Sequence, residues 1–516
     1  MISLFERLLK YYNFTIEDYK AWVSLGREDD IPKPNDDKFF AMIERIKLAV
    51  KNGEKIVIYG DYDADGITST SIMYMTLKEL NAEVGYFIPS RYVEGYGLYA
   101  GRVDQFAEKG YKLLITVDNG VSRFDEVKRA KDKGMDVIII DHHTIQEKLP
   151  EADFIFHQTY SNVTDHNISA AFLTLIVSHG LLGYYRPYYI VLAGIAALSD
   201  SMPVTKANVA LLRLTFRYIE KYKYYNILSL GTDPIIDEKY LNYQIIPKLN
   251  AIGRIETTIK INDAVKFLTS DDHRTISYYA SRLDAYNKKR KELTSSFSES
   301  NIRYIGGACI YESNLPLGLG GLLANRIMSE KKLPTIVLSR KEDEVVASLR
   351  TPENYDIIES LKDLEGLDEF GGHKNAAGLS FPYNKKEEMI IEISSRLIPS
   401  KEIIKRTAIE LNIDEITSDS YKLISSFGPY GNSHPSPIFH LNISNQAFHS
   451  FTSNPKHIVA KVADVTIIYF NGRDKLNING YTDLYGRFEL NDYRGNTTLQ
   501  FIVEFSTSEN EIVLIK

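Results

Sequence analysis

The sequence predicts an α/β protein of several domains: a parallel-sheet domain, a long connecting helix, a second α/β domain and a C-terminal β-barrel. Three observations carry this reading. From about residue 55, short apolar runs alternate with helical patterns, as in βαβ units. Around residue 285, a charged stretch without Gly or Pro has helical composition. Beyond about residue 405, apolar and polar residues alternate in short strands.

Composition narrows the class. A chain of 516 residues can bury large cores and hold roughly two to four domains. Hydrophobic content of 44% and charged content of 25% are those of an ordinary globular protein. No apolar stretch approaches membrane-spanning length, and MISLFERLLKYYNF mixes charge into apolar positions as an amphipathic helix does, not as a signal peptide does. The single cysteine, Cys309, excludes an internal disulfide framework and suits a reducing cytoplasm, which is the expected location. A net charge of −7 gives no global signature of nucleic-acid binding, so such a function must rest on local basic patches.

The strands of the first domain read as EKIVIYG, AEVGYFIP, YKLLITVD, MDVIIID and ADFIFH, with STSIMYMTLKEL and RFDEVKRAKDKG as intervening helices. Asp61, Asp63 and Asp65 follow the first run, Asp118 ends the third, and Asp141, His142 and His143 end the fourth. Ligands of open α/β sheets bind beyond the carboxyl ends of the strands, so these groups should converge there. Three carboxylates so close repel one another, and burial strengthens the repulsion. A phosphate loop is excluded by charge, because such a loop offers glycine N–H groups and lysine. A solvated acidic loop is the alternative for one cluster alone. Carboxylate and imidazole without thiolate suit Mn²⁺ or Mg²⁺, with Zn²⁺ or Co²⁺ also compatible. Two ions suit the donor count better than one, and paired ions activate a water and clamp a phosphoester. The apolar helix YYIVLAGIAALSDSMPV ends at Ser199-Asp200 and is closed by Pro203, so Asp200 stands at a turn as a further candidate or as a cap.

Together these residues resemble the DHH phosphoesterase family, whose name is the triplet Asp141-His142-His143, and within it the RecJ group of single-strand-specific exonucleases. GDYDADGITS, LLITVDNGVS, IIIDHH, ALSDSMP and LNAIGRIE look like the family's five motifs in order, and PSRYVEGYGL is also similar to the RecJ group. EFGGHKNAAGLSF resembles the signature of the DHH-associated domain, and SFGPYGNSHPSPIF with ELNDYRGNTTLQFIVE the start and end of an OB-fold. The resemblance implies a DHH catalytic domain with a helical extension at 1–275, a connecting helix at 276–303, a DHH-associated substrate-binding domain at 304–398 and an OB-fold nucleic-acid-binding domain at 399–516.

It also implies roles. Asp63 and Asp65 would each bind one ion, Asp118 bridge both, and His142 and Asp200 complete the second ion's shell. Asp61 would orient an imidazole or a water. His143 would contact the scissile phosphate, and Arg254 neutralise charge on its oxygens, although a surface salt bridge is its plain reading. Asn250, Ser348, Arg350, Gly371, Gly372 and His373 would bind substrate, the paired glycines letting backbone approach a ligand where the plain reading is a tight turn. One departure stands out: RecJ proteins commonly carry a His shortly before the glycine-rich turn at 317–321, where this chain reads SNLPLGLGG with Ser313, Asn314 and Pro316.

In the connecting helix, Lys288, Lys289, Arg290 and Lys291 form a basic run that is either a solvated face or a track for a phosphate backbone along an interdomain cleft. GACIYE, PTIVLSR and the helix GLLANRIMSEK mark the second α/β domain. HIVAKVADVTIIYF, TTLQFIVEF and EIVLIK read as strands of a small antiparallel barrel, with Phe427, Tyr430, Tyr493 and Arg494 available for base stacking and backbone contact. The implied activity is metal-dependent 5′-to-3′ hydrolysis of single-stranded DNA to mononucleotides in repair or recombination. Its cofactors would be two Mn²⁺ ions, or Mg²⁺, and the protein a monomer working with a single-strand-binding protein and a helicase, away from membranes. The alternatives are a DHH phosphodiesterase acting on RNA or small nucleotides, and a non-catalytic single-strand-binding scaffold.

Overall fold

A computed structural model describes every residue except Met1, 146–147, 162, 164, 166, 256–260, 296, 401–404, 452–453, 463–464, 477–479, 494–495 and 507–510. The chain divides into two compact units: Met1–Phe87, Gly97–Ile246 and Ile404–Lys516 form the first, Ile88–Tyr96 and Pro247–Ile403 the second.

In the first unit, helices α1 (Leu4–Tyr12), α2 (Ile16–Ser24) and α3 (Asp37–Lys51) precede a five-stranded sheet. Its strands are β1 (Ile56–Tyr59), β2 (Val84–Phe87), β3 (Leu113–Val117), β4 (Asp136–Asp141) and β5 (Phe154–His157), at the five expected runs. They pair in parallel in the order β2-β1-β3-β4-β5. β1 and β3 are buried along their whole length, which is why they read as unbroken apolar runs. The winding reverses between β1 and β3, which opens a crevice at their carboxyl ends.

Between strands run α4 (Ala64–Glu79), α5 (Ala100–Glu108) and α6 (Phe124–Asp132), followed by α7 (Ala170–Leu182), α8 (Pro187–Ser199) and α9 (Lys206–Tyr222). α4 has no polar face because its first nine residues, Ala64 to Ile72, are all buried. Its inward hydroxyls are satisfied along the helix: Thr68, Ser69, Thr70 and Ser71 donate to the carbonyls of Ala64, Asp65, Gly66 and Ile67 at 2.6–2.7 Å. Gly66 is required where α4 starts, since a Cβ there would overlap the Asp61 carbonyl.

The second unit centres on a six-stranded sheet of β6 (Ile302–Ile305), β7 (Ala308–Ser313), β8 (Thr335–Lys341), β9 (Glu344–Arg350), β10 (Glu369–His373) and β11 (Ala376–Pro382). The order is β10-β11-β9-β8-β7-β6, with β7 and β8 the one parallel pair. Helix Gly320–Lys331 connects β7 to β8, and helix His273–Ser295 precedes the sheet. On that helix Lys288, Lys289 and Lys291 are exposed, whereas Arg290 is half-buried and donates to Asn287 Oδ1 at 3.0 Å.

The C-terminal barrel belongs to the first unit. Its eight strands run from Lys405–Glu410 to Glu511–Ile515 and are mixed rather than purely antiparallel, with three parallel pairs. HIVAKVADVTIIYF is not one strand but a hairpin, Ile458–Val462 against Val465–Tyr469. Leu8 and Leu9 of α1 enter the barrel core. Buried Arg7 ion-pairs with Glu415 and donates to the Glu410 carbonyl, and Trp22 Nε1 donates to the Phe427 carbonyl at 2.8 Å. Arg213 of α9 joins all three segments, donating to the carbonyls of Trp22 (2.6 Å), Leu25 (3.2 Å), Ser426 (3.3 Å) and Gly428 (2.6 Å).

Because one guanidinium serves four backbone carbonyls at once, Arg213→Ala should lower stability by about 2–3 kcal/mol. Thermal unfolding of the variant, with its barrel transition moved to lower temperature, is the measurement that checks it.

Candidate metal centre

The turn from β1 into α4 places the first three aspartates. Asp63 is the N-cap of α4, its Oδ1 accepting the Gly66 N–H at 3.1 Å. Asp65 is wholly buried, and its two oxygens accept the N–H groups of Ala170 (2.8 Å) and Ala171 (2.7 Å) in the first turn of α7. A helix N-terminus thereby holds a carboxylate in an apolar setting.

Asp118 follows β3 in the left-handed region, with φ of +62°. Its N–H donates to the Ile140 carbonyl at 3.0 Å, and the Asn119 amide donates to the carbonyls of Val117 (3.0 Å) and Tyr59 (3.3 Å). A non-glycine residue in this region costs of order 1 kcal/mol, kept here because both neighbouring strands pin the turn.

The Asp-His-His turn ends β4. Asp141 Oδ1 accepts the N–H groups of His142 (2.8 Å) and His143 (3.1 Å) and lies 2.8 Å from His143 Nδ1, and Oδ2 accepts the Val121 N–H at 3.1 Å. Asp141 is therefore spent on shaping the turn. Burial opposes its ionisation, yet the His143 hydrogen bond and the charges of both histidines hold its pKa below the usual carboxylate value. His142 points inward: Nε2 lies 3.3 Å from Asp118 Oδ1, 3.3 Å from Asp200 Oδ2 and 3.6 Å from Asp65 Oδ2. Asp200 caps α8 in a Schellman turn, with Ser201 N–H to Leu198 O (3.1 Å) and Met202 N–H to Ala197 O (2.9 Å), so this residue is both cap and site member.

Three groups of ligand atoms lie within 4.8 Å of one another: Asp65, Asp118, His142 and Asp200; Asp61, Asp63 and Asp118; and Asp118, His142 and His143. Asp118 is common to all three. Asp118 Oδ1 and His142 Nε2 are buried and make no hydrogen bond. Buried orphan atoms amid carboxylates mark where a divalent cation fits, and the oxygen-rich donor set suits Mn²⁺ or Mg²⁺. Burial, and then the charges of Asp200 and Asp63, push Asp65 up to about 7 against the pull of His142. Burial, and then the charges of Asp65, Asp63 and Asp200, raise Asp118 well above its usual value. Although burial opposes it, the Asp200 and Asp65 carboxylates raise His142 to about 9.

The remaining expected site residues lie in the second unit. In strand register Gly371 pairs with Gly378 and Gly378 with Ser348, while His373 pairs with Ala376 and Ala376 with Arg350. The two-residue period puts Gly371, His373, Ser348 and Arg350 on one face, opposite the core residues Val345, Ala347 and Leu349. Gly372 points the other way, with φ of +147°. A Cβ on Gly320 would lie 3.0 Å from Ser348 Oγ, one on Gly321 2.8 Å from Arg350 Nη2, and one on Gly318 2.6 Å from the Arg254 carbonyl. The LGLGG turn thus abuts all three polar residues. Asn250 and Arg254, four apart, share a face of helix Ile246–Arg254.

In the barrel, Phe427 is wholly buried against Tyr12 and Tyr19 and is core, not an available stacking surface. The Tyr430 hydroxyl is spent on the Ile424 carbonyl. The Tyr493 side chain and Arg494 lie outside the described residues. Two residues that the sequence reading missed touch the Asp-His-His turn: His157 Nε2 meets the His143 carbonyl at 2.9 Å, and Gln158 Nε2 donates to the His142 carbonyl at 3.1 Å. Backbone contacts of this kind leave no spacing signature.

Comparison with known proteins agrees with this geometry. Residues 55–185 match the DHH family N-terminal domain, 309–398 the DHHA1 domain and 407–504 the RecJ OB domain. The single-stranded-DNA-specific exonuclease RecJ of Bacillus subtilis is 30% identical over 424 residues, 78% of this chain and 53% of that relative, so the chain spans about half its length. The RecJ of Haemophilus influenzae is 27% identical over 535 residues, 91% of each chain. A crystal structure of RecJ in complex with Mn²⁺ from Thermus thermophilus matches at a TM-score of 0.79 and 20% identity, covering 98% of this chain and 79% of that one. Among the described residues no helix is long and apolar enough to cross a membrane.

The raised pKa values set a pH dependence for the metal-free protein. Asp65 binds a proton more tightly folded than unfolded, so its contribution falls as pH rises from about 4 through about 7. The contribution of His142 is full below about 6.5 and fades toward about 9, in the same direction. In EDTA the melting temperature should therefore fall between pH 5 and pH 8, and Mn²⁺ should restore it most at the alkaline end; differential scanning calorimetry across that range checks both.

Proposed function

We propose that the chain is a RecJ-type single-stranded-DNA-specific exonuclease, whose carboxylate-imidazole centre holds two divalent ions and hydrolyses the terminal phosphodiester of single-stranded DNA. One observation carries the reading: Asp118 is shared by two groups of donors that otherwise have no member in common. Asp65, His142 and Asp200 would complete one shell, and Asp61 and Asp63 the other. Asp61 enters as a ligand candidate as well as an orienting group. Bound there, Mn²⁺ or Mg²⁺ would supply Lewis acidity, lowering the pKa of a water and drawing charge from the phosphate oxygens.

The chain's own residues do the rest. His143, held through Nδ1 by Asp141 and with 42% of its side chain exposed, would donate to the scissile phosphate. Arg254 and Arg350 would neutralise oxygens as charge develops, and Ser348, Gly371, His373 and Asn250 would position the strand. Gly372 would act through its backbone alone. Digestion from 5′ to 3′, release of mononucleotides, a monomeric state, a cytoplasmic location and cooperation with a helicase and a single-strand-binding protein complete the proposal.

Asp65→Ala or His142→Ala should reduce cleavage of a 5′-labelled single-stranded oligonucleotide by more than about 100-fold, beyond the cost of losing an outer partner of a metal ligand. EDTA should do the same to the wild type, and circular dichroism should show both variants folded. Undiminished cleavage in either variant would refute the ligand assignment, and intact but bound DNA with the wild type would favour a scaffold.

A further inference from the structure

The end of β5 supplies no ligand atom to any of the three donor groups, yet two consecutive residues there grip the backbone of the Asp-His-His turn. We propose that Gln158 is a positioning residue that sets the distance between Asp65 and His142, and thereby the affinity of one of the two ions; this rests on the two-ion reading above.

The geometry closes a ring. The Gln158 Nε2 donates to the His142 carbonyl at 3.1 Å, and its Oε1 accepts the Ile168 N–H at 2.9 Å. Ile168 leads into Ser169, the N-cap of α7, whose Oγ accepts the Phe172 N–H at 3.3 Å. The next two N–H groups, of Ala170 and Ala171, hold both oxygens of Asp65. Asp65 Oδ2 in turn faces His142 Nε2 at 3.6 Å, which returns to the residue whose carbonyl Gln158 grips. One amide thus ties the main chain of one ligand to the cap of the helix that positions another.

The residue type follows from the two partners. A carbonyl only accepts and a backbone N–H only donates, so the bridging head must carry a donor and an acceptor side by side and stay neutral. Partner chemistry also fixes which way the amide faces. Glutamate would set a carboxylate against the His142 carbonyl, and methionine would fill the same volume with neither bond. Neighbouring His157 is locked in register, its Nδ1 accepting the Thr159 N–H at 3.1 Å while Nε2 meets the His143 carbonyl.

The test is calorimetric titration of metal-free wild type, Gln158→Met and Gln158→Glu with Mn²⁺, beside melting in EDTA and cleavage as a function of Mn²⁺ concentration. Wild type should bind two ions. Both variants should weaken one of them by about 10–100-fold and leave the other unchanged. Cleavage should shift to higher Mn²⁺ and recover at saturation, while melting in EDTA falls only by the modest amount that two lost hydrogen bonds cost. Two unchanged binding events in Gln158→Met would overturn the proposal. So would equal weakening of both ions together with a larger fall in melting temperature, because that marks a purely structural role. If the wild type itself bound fewer than two ions, the two-ion reading would fall first and the positioning role with it.

Discussion

Five carboxylates crowd together, those of Asp61, Asp63, Asp65 and Asp200 around that of Asp118 with the His142 imidazole among them, and their mutual repulsion is the constraint that the surrounding structure answers. In water such a cluster would spread apart; here three of the five are buried to within 2% of full exclusion. The compensation is local and consists of backbone dipoles. Asp63 caps α4, Asp65 sits on the first turn of α7, and the Asp141 carboxylate gathers three N–H groups to shape the turn that delivers His142. The position of the cluster is set by topology, since the reversal between β1 and β3 opens a gap in which the ends of three strands and two helix caps converge on one point.

Much of this was legible in the sequence because burial on both faces writes a strand as an unbroken apolar run. IVIY, LLITV and DVIIID could hardly be anything else, and the polar residues at the end of each had to face the crevice. Asp200 was legible for another reason, as a polar residue at the abrupt end of an apolar helix. The second unit's glycines were visible as a string, but only strand register separates Gly371, on the face with Ser348 and Arg350, from Gly372, which turns away.

Other features were not legible, each for a physical reason. Helix α5 leaves little apolar pattern, with only two of its nine residues buried. HIVAKVADVTIIYF is apolar at most positions and holds no Gly or Pro, so nothing in its pattern reveals the hairpin. Phe427 looked available for stacking because composition does not distinguish an aromatic in a groove from one in a core. Gln158 acts on carbonyl and N–H groups of the main chain, so its partners cannot be read from side-chain identity.

The seating of α1 against the C-terminal barrel has a consequence for how the molecule comes into being. Arg7 meets the Glu410 carbonyl across 403 positions of chain. On a ribosome, the first helix emerges long before the strands that will receive Leu8 and Leu9. Those apolar side chains must wait while the sheet behind them assembles, exposed to whatever else is in reach. A polypeptide released early would carry a finished parallel sheet preceded by an unclaimed apolar helix. The contact that closes the fold is therefore one that a growing chain can make only after the whole parallel sheet has been synthesised.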